Sequence, residues 1–237
     1  MSSLTSHGNI TSDNLQEAME KTNLYGPKRV KMSRDVKKIL NKLGATWTID
    51  GGTLMGAWRD CGKMLPHDDD FDFVVHAPGI YNSDENRDLK CIEFLHELKK
   101  FFDESLNPNY ECRIVDTYCK KLEIYEPCYG KYPFTPLPHI QTDYHNVTCD
   151  VMLLLSDSQD PWHLYIQHEK MRHTKIHVYH FFPPDIHQPN IYYEGSMYNS
   201  PYDPENYLKD LYGYIGKNAV YNPETGFYES QDSSVLR

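Results

Sequence analysis

The chain has 237 residues, enough for one substantial domain, and its 39% hydrophobic and 24% charged residues exclude a disordered protein. A formal net charge of −10 excludes broad non-specific nucleic-acid binding, which needs Lys and Arg to displace phosphate counterions, yet leaves room for a small phosphate ligand held by a metal. The opening MSSLTSHGNITSDN has no apolar core of an export signal, and no stretch reaches the ~18–20 apolar residues of a membrane span, so the expectation is a cytoplasmic protein with no membrane span in this chain.

Residues 1–27 are polar, end in Gly26-Pro27, and read as a loose N-terminal arm with room for one short helix; residues 28–237 read as one catalytic domain. Val30, Met32, Val36, Ile39, Leu40 and Leu43 make one face of a helix over 28–43, closed by Gly44. ATWTI follows as a short strand, then the Gly51-Gly52 pair and a short helix over Thr53–Arg59. FDFVV is a strand, residues 86–103 a second amphipathic helix, and YECRIV and KKLEIYE two further strands. YPFTPLPHI is a loop, NVTCDVMLLL a strongly buried strand opening near Asp150, and PENYLKDLYG a helix with Pro204 at its start. The six cysteines form no CxxC pair and read as thiols of a reducing compartment, with zinc at Cys112, Cys119 and Cys128 as the alternative. The histidines between His163 and His187 read as surface or core histidines, with a second zinc site as the alternative, since no helical i, i+4 pair with a third ligand is evident.

Asp68, Asp69, Asp70 and Asp72 crowd together just where the chain enters an apolar strand. Like charges repel, and an unpartnered buried carboxylate is expensive. A calcium loop of the EF-hand type fails, because counting from Asp68 puts Phe73 at the sixth position and Gly79 at the twelfth, where Gly and Glu are needed. A solvated acidic turn and a divalent cation remain. Alternation puts Asp70 and Asp72 on one face of a strand, and Asp150 from another strand, read otherwise as a turn cap or a partner for a lysine, completes three hard oxygen donors suited to Mg²⁺ or Mn²⁺. Gly51-Gly52 before a helix start lets backbone N–H groups approach a phosphate. Glycines, a helix, an Asp-x-Asp strand and a later strand aspartate together follow the logic of a nucleotidyltransferase site, where carboxylates hold the metal that bridges phosphates.

DGGTLMGAWRDCGKMLPHDDDFDFVV resembles the signature of the LicD and fukutin-related transferases, a Gly-Gly-Thr-Leu-Leu-Gly segment leading through Arg and Pro to an Asp-rich strand. CDVMLL is similar to that family's later Asp-bearing strand, and YYEGSMYNSPYDPENYLKDLYG to its closing block. The resemblance implies an α/β (α+β) fold of nucleotidyltransferase type, a mixed sheet flanked by helices. It implies transfer of a phosphoryl-alcohol such as phosphocholine or ribitol phosphate, or of a phosphosugar, from a CDP-linked or other nucleotide-activated donor to a glycan hydroxyl. Asp70 and Asp72 would then be primary metal ligands, with Asp68 beside them and Asp150 as the third-strand carboxylate. Gly51, Gly52 and Thr53 would border the donor phosphates, and Arg59 would be a phosphate contact or pair with an aspartate.

Asp150 is the first choice for the base that takes the acceptor's proton. Lys170, Arg172 and Lys175 are candidates for the donor diphosphate, or a basic solvated strand. His67 stands where the family often has Trp, as a tolerated replacement, part of an altered acceptor pocket, or a proton carrier near the metal. Two rivals stay open: a nucleotidyltransferase moving an NMP group, and a non-catalytic regulator of glycan synthesis that binds nucleotide or glycan.

Overall fold

The computed structural model describes residues 15–81, 84–116, 120–126, 147–156, 164–166, 177–178, 189–222 and 227–231. The fold is mixed α/β. Its helices are α1 (Leu15–Leu43), α2 (Gly51–Arg59), α3 (Arg87–Ser105) and α4 (Pro204–Tyr212). Its strands are β1 (Trp47–Ile49), β2 (Asp72–Tyr81), β3 (Glu111–Asp116), β4 (Lys120–Tyr125), β5 (Thr148–Ser156), β6 (Leu164–Ile166), β7 (His177–Val178), β8 (Asn190–Tyr193), β9 (Ser196–Asn199), β10 (Ala219–Asn222) and β11 (Phe227–Ser230). The main sheet runs β1-β2-β5-β4-β3, and β6 and β7 extend it from β5. Its pairs are antiparallel except β2 with β5.

The first helix differs from its expected bounds. It begins at Leu15 rather than at residue 28 and runs straight through Pro27. Proline removes a backbone donor and crowds the residue before it. Here that residue is Gly26, which has no Cβ to collide and is buried close to Met64. The inner face carries Thr22, Gly26, Arg29, Met32, Ser33, Val36, Ile39 and Leu40, at helical spacing. The second helix opens two residues earlier than expected, on the glycine pair itself. The remaining helices and main strands fall within a residue or two of their expected bounds, apart from β2, which continues through Ala77-Pro78-Gly79 to Tyr81 with a register shift after His76. The Pro-rich loop, most of the histidine-rich stretch, Cys119 and Cys128 lie outside the described residues.

Alternation explains why acids can enter this core. Phe71 and Phe73 are fully buried and stack at 5.0 Å, and Phe71 meets Tyr193 edge-on at 5.5 Å and Tyr198 at 5.3 Å. The β8–β9 hairpin thus closes over the aromatic side of the strand entry. Asp70 and Asp72 occupy the intervening positions and face the other way. On β4 and β5 the same rule sends Leu122, Ile124, Cys149, Val151 and Leu153 into the core, where α3 packs against β4 and α1 against β5. No helix among the described residues is long and apolar enough to cross a membrane.

Candidate metal centre

Strand register assembles the acidic cluster. Asp72 on β2 lies opposite Asp150 on β5, and the Asp150 N–H donates to the Phe71 carbonyl at 2.9 Å. Asp70 stands just before the strand begins. One carboxylate oxygen from each of Asp70, Asp72 and Asp150 lies within 4.8 Å of the others. Asp68, Asp69 and Asp70 form a second such group that shares Asp70. Asp68, Asp70, Asp72 and Asp150 are all buried, whereas Asp69 is exposed, so the solvated-turn reading describes only Asp69.

The glycine pair makes this crowding possible. A Cβ on Gly51 would sit 2.5 Å from Asp72 Oδ2, and one on Gly52 would sit 2.8 Å from Asp68 Oδ1. Gly51 also has φ +54°, a left-handed conformation that side chains disfavour. Both carboxylates are therefore packed against the first turn of α2, where the helix dipole favours negative charge. Thr53 is fully buried, and its Oγ1 accepts the Asp72 N–H at 3.0 Å, which ties α2 to the start of β2. The Asp50 N–H donates to the Asp72 carbonyl at 3.1 Å, and buried Asp50 accepts a hydrogen bond from the Tyr207 hydroxyl of α4.

Two cations that sequence reasoning passed over serve the cluster. Arg29, almost wholly buried on α1, donates through Nη1 to the Asp68 carbonyl at 2.6 Å, and the Thr22 hydroxyl lies 2.7 Å from the same oxygen. Lys121 on β4 forms an ion pair between its Nζ and Asp150 Oδ2. Arg59 is not paired with the site aspartates. Its Nε donates to Asp60 at 2.7 Å, while its buried Nη1 has no hydrogen-bond partner. His67 is buried as well, its Nε2 likewise lacks a partner, and burial, with Arg59 nearby, pulls its pKa down toward the neutral imidazole. Lys170, Arg172 and Lys175 lie outside the described residues.

The electrostatics ask for a cation. Burial, reinforced by Asp69, pushes Asp68 up to about 7. Burial raises Asp70 and Asp72 well above the usual carboxylate range, with neighbouring aspartates adding to it: Asp69 at Asp70, and Asp70 at Asp72. Asp68 Oδ2 and Asp70 Oδ1 are buried without a hydrogen-bond partner. Hard oxygen donors, unsatisfied and mutually repelling, fit Mg²⁺ or Mn²⁺ better than a thiolate- or imidazole-seeking metal. Cys149 belongs to the opposite face of β5, and burial raises its thiol well above its ordinary range.

No curated protein matches the chain. Residues 44–125 match the family model described as LicD/FKTN/FKRP, nucleotidyltransferase domain. That segment runs from just before β1 to the end of β4, so it holds the glycine pair, Asp68, Asp70, Asp72 and Lys121, while Asp150 and the β8–α4 block lie beyond it. From the glycine pair through β4, the chain is thus similar to the nucleotidyltransferase domain that this family model describes.

Proposed function

We propose that the protein is a divalent-metal-dependent transferase that moves a substituted phosphate, a phosphoryl-alcohol or phosphosugar, from a nucleotide-activated donor to a glycan hydroxyl. The LicD family suggests a phosphotransferase-like role in glycan or polysaccharide modification. A CDP-linked donor and a glycan acceptor are the finer reading. The observation that carries it is the convergence of Asp70, Asp72 and Asp150 within 4.8 Å at the glycine-opened start of α2.

In this reading Asp70, Asp72 and Asp150 hold Mg²⁺ or Mn²⁺, with Asp68 in support. The cation, when bound, neutralises donor phosphate charge as the bond to phosphorus exchanges. Gly51 and Gly52 bring the carboxylates and the first N–H groups of α2 to one place, and Thr53 holds the two elements in register. Arg59 brings a buried nitrogen without a partner to the far end of α2, a candidate contact for a donor phosphate. Lys170 and Arg172 are proposed for the diphosphate. Asp150, whose Oδ2 is ion-paired with Lys121, enters as a ligand. Phosphoryl transfer through a loose transition state does not demand a strong base.

The test is calorimetric titration of CDP and the other nucleoside diphosphates, with and without Mn²⁺ or Mg²⁺, on wild type and Asp72→Asn. Binding of one nucleotide only with metal, reduced at least about tenfold in the variant, is the expected result. A folded wild type that binds none of them under any metal condition overturns the reading.

A further inference from the structure

The Asp68 carbonyl is held from a helix far away in sequence. Arg29 Nη1 donates to it at 2.6 Å, and the Thr22 hydroxyl lies 2.7 Å from it. That hydroxyl has one proton and a second acceptor within reach, the Ala18 carbonyl one turn back at 3.0 Å. The Arg29 bond is the charge-assisted one. Thr22 and Arg29 stand two helical turns apart, so they share the inner face of α1. Gly26 lies between them on that face, and a Cβ there would sit 3.3 Å from Met64 Sδ. The glycine lets α1 approach the segment that leads into the acidic turn.

A bond to that carbonyl orients more than one peptide. The Asp68 N–H donates to the Leu65 carbonyl at 3.1 Å, so residue 68 is fixed at both of its backbone groups. Its side chain then leaves in one direction, onto the first turn of α2 at Gly52, with Oδ2 unpartnered. The peptide that carries the held carbonyl leads on to Asp69 and Asp70, and Asp70 Oδ1 is unpartnered as well. Arg29 is only 1% exposed, and a buried guanidinium is costly unless it is paired. Burial works against its charge, while Asp69, Asp68 and Asp70 sustain it. The charge and the hydrogen bond of one side chain thus meet at the acidic turn.

We propose that Arg29 and Thr22 are positioning residues of the metal centre: by holding the Asp68 carbonyl they aim the carboxylates of Asp68 and Asp70 at the place of the ion. The inference rests on the metal-binding reading above. It gives a part in the site to the N-terminal half of α1, which precedes the family-matched segment. Groups that orient metal ligands change affinity by about ten- to a hundredfold when removed. Charge alone predicts the opposite sign, because deleting a cation beside a cation site strengthens binding. The direction of the change therefore separates positioning from charge balance.

The experiment measures Mn²⁺ binding by calorimetry on the full chain, with Asp72→Asn defining the site, and the metal-free melting temperature of each variant by circular dichroism. Arg29→Met and Thr22→Val remove the two donors. Ser33→Ala is the control: it deletes a buried hydrogen bond from the same helix face, one that runs to the Tyr198 hydroxyl of the β8–β9 hairpin at 2.8 Å rather than to the acidic turn. Arg29→Met is expected to lower Mn²⁺ affinity about tenfold or more, and Thr22→Val to lower it less. Ser33→Ala is expected to lower the melting temperature with the affinity unchanged. An Arg29→Met chain that folds and binds Mn²⁺ as tightly as the wild type, or more tightly, overturns the proposal. So does a Ser33→Ala chain that loses as much affinity as Arg29→Met, since a general loosening of α1 would then account for both. If Arg29→Met does not fold, Thr22→Val decides, and wild-type affinity in that variant overturns the proposal. No Asp72-dependent ion in the wild type instead removes the metal reading itself, which distinguishes the two failures.

Discussion

Gly51 carries two constraints at once. Its positive φ disfavours any side chain by about 1–2 kcal/mol, and a Cβ would overlap Asp72 Oδ2 at 2.5 Å. Gly52 carries only the second constraint, against Asp68. Gly51→Ala is therefore expected to lower both the melting temperature and Mn²⁺ affinity, the latter by about tenfold or more if Asp72 is displaced. Gly52→Ala is expected to spare stability more and to act through Asp68. Differential scanning fluorimetry with and without Mn²⁺ checks both. If Gly51→Ala binds Mn²⁺ as the wild type does, the close packing of the carboxylate on α2 does not set the metal geometry.

At the level of elements, the site depends on docking from outside the family-matched segment. Helix α4 reaches the start of α2 through the Tyr207 hydroxyl on buried Asp50. Asp50 has its pKa raised by burial, with the Tyr207 hydrogen bond opposing that rise. Tyr207→Phe removes the donor and leaves the carboxyl less satisfied, at about 1–3 kcal/mol. For a chain of this size the expected fall in melting temperature is on the order of 3–10 °C, measured by calorimetry on otherwise identical protein. A fall under about one degree would mean that the hydroxyl contributes nothing net.

What could be read from the sequence follows the same physics. Asp70 and Asp72 were legible because strand alternation separates them from Phe71 and Phe73, and Asp150 because a lone acid at the head of an apolar strand needs a partner. Lys121 was not legible, since KKLEIYE has the same alternation as a solvated edge strand; the register of β4 against β5 is what turns Lys121 toward Asp150. Arg29 lies one turn before Met32 on the helix face that also holds Val36, so its phase was a usable signal. It was hidden by reading Gly26-Pro27 as a break, when the glycine is what lets the proline sit inside α1.

For the whole molecule, the order of strands in space matters more than their order along the chain. Strand β5 sits between β2 and β4, yet it is made after both and lies beyond residue 125. The matched segment 44–125 therefore contains both neighbours of the central strand but not the strand itself. Expressed alone, it presents two unpaired strand edges, a template for association between copies. The expected outcome is an aggregating fragment, seen by size-exclusion chromatography and light scattering, whereas a monodisperse, folded fragment would show that β2 and β4 manage without β5.

The parallel pairing of β2 with β5 also sets when, during synthesis, the acidic cluster can form. Asp72 waits for a residue translated 78 positions later before its cluster is complete. Closing so long a loop is slow compared with forming a hairpin or a helix. The growing chain passes through a stage in which the helices and the β3–β4 hairpin can exist but the three-carboxylate cluster cannot. On the proposed reading, capture of a divalent ion by that cluster waits for β5, and an interrupted chain that stops before β5 lacks one of the three carboxylates.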